Sequence, residues 1–392
     1  AAHYPPDEEI TELCECYPSG LDGIVLLAHL TGDAKYLDLA RDIARRSPVN
    51  QRRYFSTTVN EQGYRRPLVG HTHCQMLTAK GMIDLNDLFG DAQFMPAVLD
   101  LHAYYLNELM WISGGIPEFL QIPHVNETCS DVDWLRLNLQ LWRTTGEQRY
   151  FEIAENVLLN QLYFDQEEMG GFCFWRGLQG GMGSTFDACC SHHGARALAE
   201  AMRYLYTTEP GVVQANLFLE GKARPSVDGQ EIEIDCEISY EGDAMVAAYT
   251  LGRVPAQPLT FRLRVPEWAG SGSLIANGQQ AAAADQPGYL EVKRAWASGD
   301  RVELRLPMKV RVVRGQRLGS HVIDPREVAI FYGPRLFCLM DIHNLTLVPP
   351  LVTLDLSQEI RADAPDRLSA WATSVRGEPV QVTLTPLANV GG

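Results

Sequence analysis

No stretch of this 392-residue chain approaches the roughly 18 consecutive apolar residues that a membrane-spanning helix needs. The N-terminus, "AAHYPPDEEITEL", lacks the basic-then-apolar order of a signal peptide. A leader removed before Ala1 would leave no trace. No low-complexity linker interrupts the chain. Positive charge is in short supply: 33 Lys and Arg stand against 49 Asp and Glu, for a formal net charge of −16. That charge is spread along the chain, with no basic face to offset it, which argues against nucleic acid as a partner. Nothing in the sequence calls for a membrane either. An uncharged molecule such as a sugar fits.

The cysteines lack the regular spacing of a disulfide framework. There are nine, an odd number, at positions 14, 16, 74, 129, 173, 189, 190, 236 and 338. Reduced thiols are the expectation, which leans towards a reducing, cytoplasmic home. A secreted or periplasmic one stays open if a leader was removed.

One internal repeat organises the first half. "TGDAKYLDLA", "FGDAQFMPAV" and "TGEQRYFEIA" each place a glycine, an acidic residue and, three residues later, an aromatic: Gly32/Asp33/Tyr36, Gly90/Asp91/Phe94 and Gly146/Glu147/Tyr150. Glycine takes the left-handed cap that ends one helix, and an acid suits the N-terminus of the next. A recurring helix pair implies a stacked or closed helical array, of which the (α/α) toroid is one closed form. The character changes near Glu209-Pro210-Gly211. From there short alternating segments such as "EIEIDCEISY" and "LTFRLRV" are separated by turn residues, and "ANGQ" carries a hairpin signal at Asn277-Gly278. The expected organisation is a helical region over 1–210, an antiparallel β-sandwich over 211–350 and a polar extension of the β region over 351–392.

Four side chains form the chemical constellation. "NETCSD" supplies Glu127 and Cys129; "ACCSHH" supplies Cys189 and Cys190. Three thiols and a carboxylate from two distant segments could complete a tetrahedral zinc shell. The signature of two CxxC pairs is missing, so the alternatives remain: buried thiols that act as small hydrophobes, or a vicinal disulfide, which geometry disfavours. A closed four-ligand zinc site is normally structural. Zinc also holds sulfur as thiolate, and a thiolate is a strong nucleophile.

The order of several longer stretches carries a resemblance. "GGIPEFLQIPHVNETCSDVDWLRLNLQLW", "CCSHHGARALAEAMRYLY", "LTFRLRVPEWA", "GYLEVKRAWASGDRVELRLPM" and "EVAIFYGPRLFC" follow one another within a resemblance that runs from about Leu21 to Cys338. Together they resemble the β-L-arabinofuranosidases of glycoside hydrolase family 127. The resemblance implies an (α/α)₆ barrel followed by β-sandwich domains, an α+β multidomain fold. It implies Zn²⁺ bound by Glu127, Cys129, Cys189 and Cys190, with Cys189 as the nucleophile of a retaining hydrolysis. Glu118 in "GGIPEF" matches the family's acid/base glutamate, within a shorter loop. A carboxyl with a raised pKa suits that role, and a thiolate would replace the second carboxylate usual in glycosidases.

Substrate contacts are implied at His71, in "GHTHCQM", and at His193 and Trp175. His193 stands where many members carry Asn, Ser191 where proline is usual, and Phe174 where a tyrosine is common. His73 has no counterpart. About seven helices precede the sandwich, whereas a toroid of this type needs twelve, so the resemblance implies a toroid incomplete at its N-terminal side. From that follows the expectation of oligomerisation, poor solubility or an incomplete site, and of little turnover.

The leading expectation is a glycoside hydrolase releasing a terminal sugar, β-L-arabinofuranose first, from a carbohydrate substrate. Its rivals are a hydrolase of the same fold acting on another plant-polysaccharide sugar, a non-catalytic carbohydrate-binding or scaffold protein with structural zinc, and a thiol redox protein.

Overall fold

The computed structural model describes residues 18–59, 65–67, 70–120, 125–176, 189–315, 327–340, 343–344 and 352–390; for 55–59, 65–67 and 175–176 the description is of the backbone. The chain divides into two compact units, 1–197 with 314–328 and 391–392, and 198–313 with 329–390.

The first unit is built of helices: α1 (Leu21–Thr31), α2 (Ala34–Arg46), the short α3 (Pro48–Gln51), α4 (Thr72–Phe89), α5 (Met95–Glu108), α6 (Thr128–Thr145) and α7 (Gln148–Asn156). A π-helical stretch, Val157–Leu162, leads from α7 into α8 (Tyr163–Asp165), and α9 spans Cys189–Leu205. The repeat glycines end α1, α4 and α6 at φ of 67°, 71° and 74°. That left-handed conformation is one most side chains avoid, which is why the motif repeats glycine. The acidic residue behaves less uniformly. Asp33 caps α2 by accepting from the Lys35 amide at 3.0 Å. Asp91 instead takes the Arg41 guanidinium at 2.6 Å, and a 3₁₀ turn, Ala92–Phe94, precedes α5.

Of the helices that precede the glycines, α6 is the most deeply buried and α1 the least. α4 packs against α1 and α6. A Cβ on Gly81 would fall 2.6 Å from Leu21 Cγ, so α1 and α4 approach backbone to backbone. The helices after the glycine are amphipathic. α2 buries Ala40, Ile43 and Ala44, and α7 buries Tyr150, Phe151 and Ala154. α6 is buried continuously from Thr128 to Trp142. A helix walled on all sides tolerates charge only where the charge is paired or hydrogen-bonded, yet α6 carries Asp131, Asp133 and Arg136. Those three residues lead to the site.

The second unit is made of sheets. A six-stranded sheet runs in the order Gln279–Ala284, Gly272–Ala276, Arg301–Pro307, Ala244–Leu251, Ile234–Glu241, Gly221–Ala223. A four-stranded sheet runs Gly288–Arg294, Leu259–Val265, Val212–Ala215, Tyr206–Glu209. The two sheets touch through Gly272–Ala276 and Gly288–Arg294. Asn277 and Gly278 sit at φ of 49° and 77°, the two positive values that a tight hairpin turn requires. The expectation of purely antiparallel pairing needs one correction: Leu259–Val265 runs parallel to Val212–Ala215. The two strands are far apart in sequence, so no tight turn dictates their relative direction. A third, seven-stranded sheet combines Val328–Tyr332 and Arg335–Leu339 with Pro379–Pro386 and Arg367–Thr373. It therefore draws strands from both sides of residue 350.

Candidate active site

Two helix N-termini meet in the first unit. The short strand Asn126–Glu127 pairs antiparallel with Phe174–Arg176 and hands the chain to α6, with Glu127 at the capping position and Cys129 in the first turn. Cys189 and Cys190 open α9. The start of α9 is held from below. A Cβ on Gly194 would fall 2.2 Å from Phe172 Cγ, and the Phe172 amide donates to Ser191 Oγ at 3.3 Å. Glycine at 194 is what lets this turn of helix lie flat on the phenyl ring.

The four expected donors come together. Glu127, Cys129, Cys189 and Cys190 each place one ligand atom within 4.8 Å of the others. Cys129 Sγ and Cys190 Sγ are 3.7 Å apart, and Glu127 Oε1 is 3.4 Å from Cys189 Sγ and 3.8 Å from Cys190 Sγ. A disulfide would need sulfurs about 2.05 Å apart. Tetrahedral zinc with Zn–S near 2.3 Å sets its sulfurs about 3.8 Å from one another. The observed spacing is of the second kind, so this donor set fits a Zn²⁺ ion. Among the described residues no disulfide forms. Cys129 and Cys190 are fully buried, whereas Cys189 is exposed.

Burial and close contact disfavour ionisation of the thiols. Burial, with the neighbouring Cys190 and Glu127, pushes the Cys189 thiol up to about 11. The Cys129 thiol is pushed far above its ordinary range by its hydrogen bond with Cys190 and by burial. Only a strong positive charge would hold these sulfurs as thiolates near neutral pH. Burial works against ionisation of Glu127, but the hydrogen bonds with His71 and Cys129 and the nearby imidazoles together outweigh it, and its carboxyl lies below the usual range.

His71 precedes α4 and hydrogen-bonds Glu127 Oε2 through Nε2 at 2.9 Å; its Nδ1 is 3.3 Å from Cys74 Sγ. Its hydrogen bond therefore goes to a candidate metal ligand. Glu118 is nearly buried, with Oε1 3.9 Å from His71 Nε2. His71, Glu118 and Glu127 likewise offer ligand atoms within 4.8 Å of one another.

The loop carrying Glu118 is fastened by polar groups that sequence reasoning overlooked. The Ile116 amide donates to Asp131 Oδ1 at 2.7 Å, and Asn126 Nδ2 donates to Asp131. Ser113 donates to Gln161 at 2.5 Å, and Gln161 to Asp165 at 2.9 Å. Beyond that, the Glu118 amide donates to the Val125 carbonyl at 3.1 Å, and the Glu118 carbonyl accepts from Thr72 at 3.0 Å. Asp131 and Asp165 are fully buried. Burial, together with their mutual repulsion, raises the Asp131 carboxyl well above its ordinary range.

His193 and Trp175 are the remaining expected contacts. His193 belongs to a second group with His73 and Asp133, again with ligand atoms within 4.8 Å of one another. Trp175 falls in the strand Phe174–Arg176, and its side chain lies outside the described ones. Phe174 stands opposite Glu127 in that pairing, and Arg196 is exposed on α9. His73 and Asp133 were not singled out from sequence. The available signal was charge inside an otherwise apolar run, "DVDWLRLNLQLW".

Comparison with known proteins completes the description. Residues 4–203 match the family described as beta-L-arabinofuranosidase, GH127 catalytic domain, and residues 212–308 match its GH127 middle domain. A non-reducing end beta-L-arabinofuranosidase of Bifidobacterium longum subsp. longum is 30% identical over 165 residues, which are 40% of this chain. The chain thereby covers 24% of that relative's length. A GH127 beta-L-arabinofuranosidase structure from Geobacillus stearothermophilus T6 aligns at a TM-score of 0.74 with 19% identity, covering 95% of this chain and 69% of that one. A GH127 beta-arabinofuranosidase structure aligns at 0.76 with 23% identity, covering 99% and 67%. A structure titled glycoside hydrolase aligns at 0.80 with 20% identity, covering 100% and 75%. At these identities the structures speak for a shared fold.

Proposed function

This chain belongs to the GH127 β-L-arabinofuranosidase family, and on that premise we propose that it is a retaining glycoside hydrolase. Its substrate would be a carbohydrate ending in a β-L-arabinofuranoside. Within this reading the helices form part of an (α/α) toroid, with the β region as its appended domains. Glu127, Cys129, Cys189 and Cys190 would hold Zn²⁺, which when bound supplies the positive charge that keeps the sulfurs ionised.

The observation that carries the proposal is the unequal burial of the sulfurs. Cys129 and Cys190 are closed off, while Cys189 opens to solvent where a sugar can reach it. Cys189 Sγ attacks the anomeric carbon as the bond to the leaving oxygen breaks, and Glu118 gives that oxygen its proton. A water then gives a proton to the Glu118 carboxylate and attacks the same carbon, releasing Cys189. Two displacements at one carbon return the original configuration. Glu118 is supported in this role by its burial and by sharing its neighbourhood with Glu127.

The test is hydrolysis of an aryl β-L-arabinofuranoside by this chain and by the longest natural chain that contains it. Rapid quenching should trap one pentose residue on the peptide containing Cys189. Cys189→Ser should abolish turnover, and Glu118→Gln should reduce it while retaining zinc. Release of the sugar with inverted configuration would refute the scheme.

One observation favours a second reading. Four protein donors close the proposed shell, and closed shells are normally structural. A carbohydrate-binding protein with structural zinc would bind the sugar, hydrolyse nothing, and lose metal and melting temperature together in Cys189→Ser. Activity on a different furanoside would keep the mechanism and change only the sugar.

A further inference from the structure

Beside the thiol cluster stands a second group of donors that the proposed chemistry does not use. His73 lies in the first turn of α4, Asp133 in the second turn of α6 and His193 in the second turn of α9. Each offers an atom within 4.8 Å of the others'. The His73 and His193 rings are 5.0 Å apart and nearly perpendicular. We propose that His73, Asp133 and His193 form a second metal site, for a divalent ion of the Zn²⁺, Co²⁺ or Fe²⁺ type.

Three features support the assignment. The donor types come first: two imidazoles and one carboxylate delivered by three helices suit borderline transition-metal dications, and three protein ligands leave a position for water or a substrate oxygen. Next is the support of the carboxylate. Asp133 is fully buried; its Oδ1 accepts from Arg136 at 2.7 Å, while Oδ2 lies 2.5 Å from His73 Nδ1. The Arg136 contact is the kind of outer hydrogen bond by which ligating carboxylates are commonly held. The third is independent of both. His193 Nδ1 is buried with no hydrogen-bond partner among the described residues. Leaving such a nitrogen unsatisfied is unfavourable, a deficit that an ion or its bound water would remove.

The two sites share no residue. His71 stands between them, its ring 5.5 Å from that of His73 and its Nε2 on Glu127. The second site should also be the weaker. Arg136 shares the negative charge of Asp133, and the other two donors are neutral, whereas the first set can present three thiolates and a carboxylate.

The probe is Zn²⁺ itself, equilibrated at fixed free concentration with the full chain and with His193→Gln. Wild type should hold one more equivalent than the variant, whatever the thiol cluster binds: two against one if both sites fill, one against none if only this one does. Equal stoichiometry overturns the proposal and leaves the thiolate reading untouched. If His193→Gln fails to fold, Co²⁺ titration of wild type decides. An equivalent whose visible spectrum lacks sulfur-to-metal charge transfer supports the site; sulfur-bound cobalt alone refutes it. A dyad of His73 and Asp133 bonded without metal predicts the refuting result in both experiments.

Discussion

Glu127 faces two ways: Oε2 takes the hydrogen bond from His71 Nε2 at 2.9 Å, and Oε1 lies 3.4 Å from Cys189 Sγ. The imidazole thus fixes the plane of the carboxylate that completes the donor set. Outer partners of this kind typically contribute about 10–100-fold to metal affinity. His71→Ala should weaken zinc retention by that order in competition with a chelator, while the thiols stay in place. Unchanged retention would remove His71 from the account.

Glu118 should separate from the metal. Glu118→Gln preserves shape and removes the transferable proton, so zinc content should match wild type. Hydrolysis should fall by about 10²–10⁴-fold. The loss should be smallest for aryl leaving groups that depart without protonation, and a loss independent of leaving group would count against the acid role.

Gly194 meets Phe172 too closely for any side chain. Gly194→Ala should force the start of α9 away from the ring and cost about 1–3 kcal/mol, as overpacking does. Chemical denaturation measures the loss, and Phe172→Ala in the same chain should return part of it by opening space.

The buried pair Asp131 and Asp165 gives a pH dependence whose sign is fixed. Burial raises both carboxyls above the ordinary 3.8. A carboxyl raised in the folded state contributes its full stability below that value and loses it as pH rises through the folded pKa. Asp131→Asn removes one of the two carboxyls from this pair. Its stability relative to wild type should therefore improve steadily with rising pH in urea unfolding. A difference that is flat with pH would contradict the pairing.

Much of this arrangement was legible in the sequence because local rules govern it. Gly32, Gly90 and Gly146 announce helix ends through a backbone conformation that belongs to glycine. Asn277-Gly278 announces a hairpin for the same reason. Glu127, Cys129, Cys189 and Cys190 stood out by residue type alone. The second donor group did not, since His73, Asp133 and His193 are about sixty residues apart and meet only through helix packing. The anchoring of the Glu118 loop was equally hidden, for Asp131 and Gln161 look like surface residues until α6 and the π-helical stretch are seen to be buried. The parallel pairing of Leu259–Val265 with Val212–Ala215 escaped because no turn connects those strands.

The adjacent cysteines that open α9 differ in environment because consecutive positions on a helix are turned by about 100°. A single peptide bond thus separates a sulfur shut inside the protein from one open to whatever diffuses past. Small electrophiles and peroxides should discriminate between the two neighbours, modifying Cys189 and sparing Cys190. The exposure that the proposed chemistry requires of Cys189 would then also be this protein's weak point under oxidative attack.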